Sequence, residues 1–107
     1  MNGDESEFEG FEWDTLKNDA TLVQRGLDFE FAARVFATEY IEREDLRQDY
    51  GERRYIVTGE VDQRVITVVW TPRSRRRRIV SARLASNRER REYHEYRQTI
   101  EPADSSG

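Results

Sequence analysis

The stretch RYIVTGEVDQRVITVVWTPRSRRRRIVSARL, residues 54–84, decides the fold. Three runs rich in β-branched residues, 54–61, 64–71 and 78–84, are bounded by turn signals, a pattern that predicts strands. Asp62-Gln63 is short enough for a tight hairpin, although it lacks the glycine that two-residue turns favour. Pro72 ends the middle strand because proline has no N–H to give to a ladder. The arginine-rich residues 73–77 then lead into the third strand. Sequential antiparallel pairing is the simplest topology for the three.

Outward from this stretch the pattern becomes helical. Asp14 is a good N-cap for a helix over 15–24, with Leu16, Ala20 and Val23 spaced as its buried stripe and Gly26 as its stop. Asp28 caps a second helix over 29–38, whose inner face holds Ala32, Val35 and Phe36. Residues 8–13 alternate apolar and acidic, which fits a short strand, and residues 40–43 form another. The charged segment 44–52 reads as a loop. On the C-terminal side, Ser86-x-x-Glu89 matches a capping box for a helix over 87–99, with Tyr93, Tyr96 and Ile100 along its docking side. The element string β-α-α-(β)-β-β-β-α predicts an α+β domain, an antiparallel sheet with two N-terminal helices and one C-terminal helix, covered on one face. Residues 1–7 read as a disordered lead-in, 8–101 as a single domain and 102–107 as a frayed tail.

Composition narrows the chemistry. A chain of 107 residues buries roughly 60–70% of its unfolded surface, so one modest core is expected and a large enclosed cavity is not. The absence of cysteine excludes disulfides, thiolate catalysis and cysteine-based metal sites. His94 is the one histidine, which makes a histidine-built zinc site a poor fit; no metal and no cofactor is expected. The acidic N-terminus carries no signal-peptide pattern, and no apolar run approaches the roughly 20 residues needed to span a bilayer. A cytoplasmic location follows as the expectation, with no membrane partner.

Charge is polarised along the chain. Residues 1–50 carry 14 acidic and 5 basic side chains, whereas residues 51–107 carry 8 acidic and 13 basic, within a net charge of −4. Nine arginines fall between Arg73 and Tyr93 against two carboxylates, Glu89 and Glu92. A guanidinium stays protonated at any biological pH and grips phosphate with a planar fork, so this region points to RNA or another phosphate-bearing partner. Solvated strand ends that balance the acidic first half are the plainer account of any single arginine.

Uninterrupted alternation would put Arg78, Val80, Ala82 and Leu84 on one face of the last strand, with Ile79, Ser81 and Arg83 on the other. Arg64 aligns with Ile66, Val68 and Trp70. Both faces carry apolar residues, so alternation alone does not choose the solvent side. Arg54, Arg64, Arg78 and Arg83 are the candidates to converge on a phosphate. His94 reads as an ordinary exposed histidine, Glu89 as a cap, and Trp13 and Trp70 as core. Lys17 would serve as a base only if buried near arginines, and Tyr55 as a proton donor only if it is not simply packed.

The order of motifs FEWDTLKNDATLVQRG (11–26), LDFEFAARVF (27–36), ERRYIVTG (52–59), RVITVVWT (64–71) and RRIVSARLASNRERREY (77–93) resembles the BrnT toxin family. The FEWD opening and the final run are the most specific pieces. The resemblance implies a RelE-like fold and a type II toxin that cleaves RNA without a metal and slows growth. The RNA 2′-hydroxyl would attack the adjacent phosphate, with Arg54, Arg64, Arg78 and Arg83 as the catalytic set. Arg76, Arg77, Ser81, Tyr55 and Arg88 would bind the RNA. It also implies a BrnA-like ribbon-helix-helix antitoxin, through which alone operator DNA would be reached. Where the family carries Lys-His-Gly, this chain has Gln24-Arg25-Gly26, and a guanidinium accepts no proton near neutral pH. The alternatives are therefore a non-catalytic RNA- or antitoxin-binding protein that retains the toxin fold, and a general nucleic-acid-binding domain.

Overall fold

The computed structural model describes residues 8–100; the expected lead-in at 1–7 and the tail at 102–107 lie outside them. The three expected strands form as β3 (Tyr55–Val61), β4 (Arg64–Arg73) and β5 (Arg76–Leu84). Each pairs antiparallel with the next. The β3–β4 turn is made without glycine, with Asp62 and Gln63 both at positive φ, 51° and 66°. Left-handed backbone is disfavoured for side-chain-bearing residues. Here Asp62 is held in place by Arg34, which donates two bonds to its carboxylate at 3.0 and 3.3 Å.

Two shorter strands complete the sheet. β1 (Phe11–Trp13) runs parallel to β5, and β2 (Tyr40–Glu44) runs antiparallel to β3, giving the order β1-β5-β4-β3-β2. The sheet is therefore mixed, with its single parallel pair at the β1 edge.

Helix α1 (Thr15–Arg25) starts where Asp14 Oδ1 accepts from the Lys17 N–H. It stops where Gly26, at φ 76°, donates to the Leu22 carbonyl. Asn18 Oδ1 accepts from Phe29 N–H at 2.7 Å, which ties α1 to the start of the next helix. That helix, α2 (Phe29–Ala33), is capped by Asp28 and tightens into a 3₁₀ turn over Arg34–Ala37. Helix α3 (Asn87–Ile100) begins at the expected capping box. Glu89 N–H bonds Ser86 Oγ at 3.2 Å, and Glu89 Oε1 accepts from Ser86 N–H at 2.9 Å.

The helices divide between the two faces instead of sharing one. Leu27, Phe29, Ala32 and Val35 pack with Val57, Val61, Ile66, Val68 and Trp70, the α2 side of the sheet. Val65 and Ala85 pack with Tyr93 of α3 on the other side, where strand alternation puts Val65 and Thr67. Tyr93 is fully buried, and burying a large side chain contributes roughly 1.5–3 kcal/mol. Its hydroxyl reaches the Glu39 carbonyl at 3.3 Å.

The expectation for α1 is overturned. None of its residues is buried, and Leu16 and Val23 are 79% and 84% exposed. Asn18 and Thr21, on the polar side, are the half-buried ones. The helix thus docks by its polar face and turns its apolar stripe to solvent.

Candidate functional site

The arrangement of the arginines depends on a bulge in β5. Ile79 lies opposite Trp70 and Ser81 opposite Val69, so Val80 has no opposite number. One extra residue in a strand reverses the alternation beyond it. Ile79 and Ala82, three apart, therefore both enter the core beside α2. Arg78, Ser81 and Arg83 are left together on the α3 face. Uninterrupted alternation would have separated Arg78 from the other two.

Arg83 is the best-anchored member. Its Nη1 and Nη2 bond Glu89 Oε1 and Oε2 at 2.8 and 3.0 Å. Glu89 Oε1 also accepts from Thr67 Oγ1, which in turn contacts Thr58 Oγ1 within the core. The Arg83 guanidinium, helped by the Ser86 N–H and Thr67, lowers the Glu89 carboxyl to about 2 against the opposing effect of burial. The same contact raises the Arg83 pKa. Arg78 lies farther along β5, opposite Thr71, and its Nη1 meets Glu12 Oε2 at 3.0 Å.

The other predicted site residues are dispersed. Arg54 follows a loop built around buried Asp45, which accepts bonds from Arg47 and from the Tyr50 hydroxyl. Arg47 holds the Asp45 carboxyl far below the usual carboxylate range. Arg54 lies 4.2 Å over the Tyr50 ring and bonds Glu52. Arg64 falls on the α2 side of the sheet, with its guanidinium 4.8 Å over Phe31. Tyr55 stacks at 5.2 Å on Trp70. Arg76 is exposed at the start of β5, and Arg88, on the outside of α3, bonds Glu92. Arg77 sits among Phe8, Phe36 and Trp70 at 4.3–4.9 Å. So Arg78, Ser81 and Arg83 come together, whereas Arg54 and Arg64 do not join them around one point.

Sequence reasoning missed the carboxylates that hold this surface. Glu12 bridges Arg73 and Arg78, and Glu9 bonds Arg75 at 2.7 Å. These partners are more than sixty residues apart, so no local spacing announces them. Arg25, at the family's histidine position, donates through Nη1 to the Ala82 carbonyl at 2.9 Å. There it fastens α1 beside β5 on the side where β1 pairs only with residues 77–79. Among the described residues no three His, Asp or Glu side chains gather as a metal site. No helix among them is long and apolar enough to cross a membrane.

The same small α+β fold is seen in a solved structure. The 1.1 Å crystal structure of the Brucella abortus ribonuclease toxin BrnT aligns with a TM-score of 0.54, covering 73% of this chain and 97% of that one at 23% identity. At that identity the likeness shows the fold. No curated protein sequence matches the chain. The sequence model described as "Ribonuclease toxin, BrnT, of type II toxin-antitoxin system" matches residues 13–89. The chain belongs to the BrnT family of type II toxin-antitoxin ribonuclease toxins. Membership implies an antitoxin partner.

Proposed function

We propose that this chain is a cytoplasmic, metal-independent endoribonuclease toxin with a RelE-like fold that slows growth by cleaving RNA. A BrnA-like ribbon-helix-helix antitoxin neutralises it and alone brings it to operator DNA. The observation that carries the reading is the bulge at Val80, which collects Arg78, Ser81 and Arg83 on one face of β5. Fixed guanidiniums stabilise the charge that builds on phosphorus when a 2′-hydroxyl attacks, and they do so without reorganising. Arg54 and Arg64 approach the same strand of RNA from the flanks, with Arg76, Arg77, Arg88 and Tyr55 along its path. The exposed Leu16–Val23 stripe of α1 is the surface offered to the antitoxin, since an apolar helix face in solvent marks a partner site.

The test is induced expression of the wild type beside an R78A/R83A variant. Growth arrest and RNA loss with the wild type alone support the reading; unaffected growth and intact RNA with the wild type overturn it. One observation favours the non-catalytic alternative. Arg25 replaces the family histidine and its guanidinium is committed to Ala82. On that alternative the wild type would bind RNA without cleaving it, and R78A/R83A would bind it more weakly.

A further inference from the structure

We propose that Glu60 and His94 form the acid–base pair of the cleavage reaction, in a pocket they share with Arg90. This rests on the ribonuclease reading above and supplies the proton carriers that Arg25 cannot provide. The pocket, of about 350 Å³, is lined by Glu60, Gln63, Arg64, Val65, Leu84, Arg90 and His94. It brings the one histidine of the chain together with a carboxylate and the Arg90 side chain. No other element of the sequence contributes an imidazole, and histidine is the side chain that exchanges protons near neutral pH.

The pocket is continuous with the arginine row. Ala85 N–H donates to the Val65 carbonyl at 2.9 Å, and Arg83 lies opposite Thr67. The wall at Val65 and Leu84 therefore begins one or two residues beyond Arg83. Glu60 pairs with Val65 in the β3–β4 ladder, which directs it to the α3 face. His94 comes from the middle of α3, next to fully buried Tyr93, whose ring lies 5.7 Å away. A buried neighbour fixes the backbone that carries His94, while the imidazole itself stays exposed. The charged groups facing it are Glu60 from β3 and Arg90 from its own helix, while Arg64, at the edge of the pocket, sends its guanidinium over Phe31 on the α2 side.

The chemistry balances with these groups. The Glu60 carboxylate takes the proton of the 2′-hydroxyl, and the freed oxygen attacks the adjacent phosphorus. The bond from phosphorus to the 5′-oxygen breaks, and His94, as imidazolium, delivers its proton to that leaving oxygen. The products are a 2′,3′-cyclic phosphate and a 5′-hydroxyl. Arg90, with Arg83 next along the strand, neutralises the non-bridging oxygens as charge rises on them. Positioned acids and bases of this kind contribute about 10²–10⁴-fold each.

The experiment measures single-turnover cleavage of a 5′-labelled single-stranded RNA by the full-length protein, against E60Q, H94Q and a Q98A control. The wild type is expected to give a bell-shaped pH profile and a 2′,3′-cyclic phosphate end. E60Q should lose the acidic limb and H94Q the alkaline limb, each with a rate about 10²–10⁴-fold lower. An RNA whose 5′-bridging oxygen is replaced by sulfur needs no proton on departure, and should rescue H94Q but not E60Q. E60Q and H94Q rates within threefold of a cleaving wild type, with both limbs retained, overturn the pair and leave the ribonuclease reading standing. A wild type that does not cleave overturns both.

Discussion

Glu12 and Arg78 face each other across the parallel β1–β5 ladder, with Glu12 Oε2 3.0 Å from Arg78 Nη1. The same oxygen lies 3.4 Å from Arg73 Nη1. One carboxylate from the N-terminal strand thus occupies two guanidiniums that a phosphate would want. RNA binding at this end has to displace Glu12 or share the cations with it. We expect E12Q to bind single-stranded RNA roughly 1.5–5-fold more tightly at low salt, the scale of a partly exposed ion pair. Titration of labelled RNA checks this. Unchanged affinity would show that Arg73 and Arg78 do not contact phosphate.

The Glu89 carboxylate should make stability depend on pH. Its pKa is about 2 in the folded chain against 4.5 for the free side chain. A depressed carboxyl contributes stability that is complete above the unfolded value and is lost as pH falls through the folded one. Urea unfolding of the wild type and E89Q is expected to differ by about 1–3 kcal/mol at pH 7, the cost of losing charge-assisted bonds. That gap should shrink between pH 4.5 and 2. A difference that stays constant across the range would remove Arg83–Glu89 as its source.

Gly59 is required by space, not by backbone conformation. A Cβ there would meet Val35 Cγ2 at 2.7 Å, with Tyr40 Cβ at 3.2 Å and the Glu39 carbonyl at 3.3 Å. Forcing a methyl into a packed interior costs about 1–3 kcal/mol. G59A should therefore lower the thermal midpoint, by calorimetry, while leaving the Arg83–Glu89 region intact.

The outward stripe of α1 separates stability from partner binding. L16Q/V23Q removes side chains that are 79% and 84% exposed. Surface changes of this kind stay within about 0.5 kcal/mol. We expect an unchanged unfolding midpoint and an antitoxin affinity lower by at least about tenfold, given that a handful of residues dominates most interfaces. Thermal unfolding reads the first arm and calorimetric titration with the antitoxin the second, and full affinity would place the antitoxin elsewhere.

The elements were legible where one local rule governed each. Asp14, Asp28 and Ser86 announced their helices, and the three β-branched runs announced their strands. The parallel docking of β1 was not legible, because strand order at an edge is set by contacts far apart in the chain. The orientation of α1 was misread for a related reason. Leu16, Ala20 and Val23 have the spacing of a buried stripe, and spacing does not say whether a partner or the protein's own core covers it. Of the four candidate catalytic arginines, Arg78 and Arg83 share a face only because of Val80. Arg64 was placed with Ile66 and Val68 by simple alternation, and it is there.

Written without Val80, the last strand becomes a regular alternation: Arg77 inward, Arg78 outward, Ile79 inward, Ser81 outward, Ala82 inward, Arg83 outward. Deleting the extra residue would therefore preserve both the core and the arginine row. Losing Ile79 or Ser81 instead would let Val80 take the vacated place, so the row would stay but the core would lose an isoleucine or the surface a hydroxyl. Tolerance to single-residue deletion along β5 should accordingly peak at Val80.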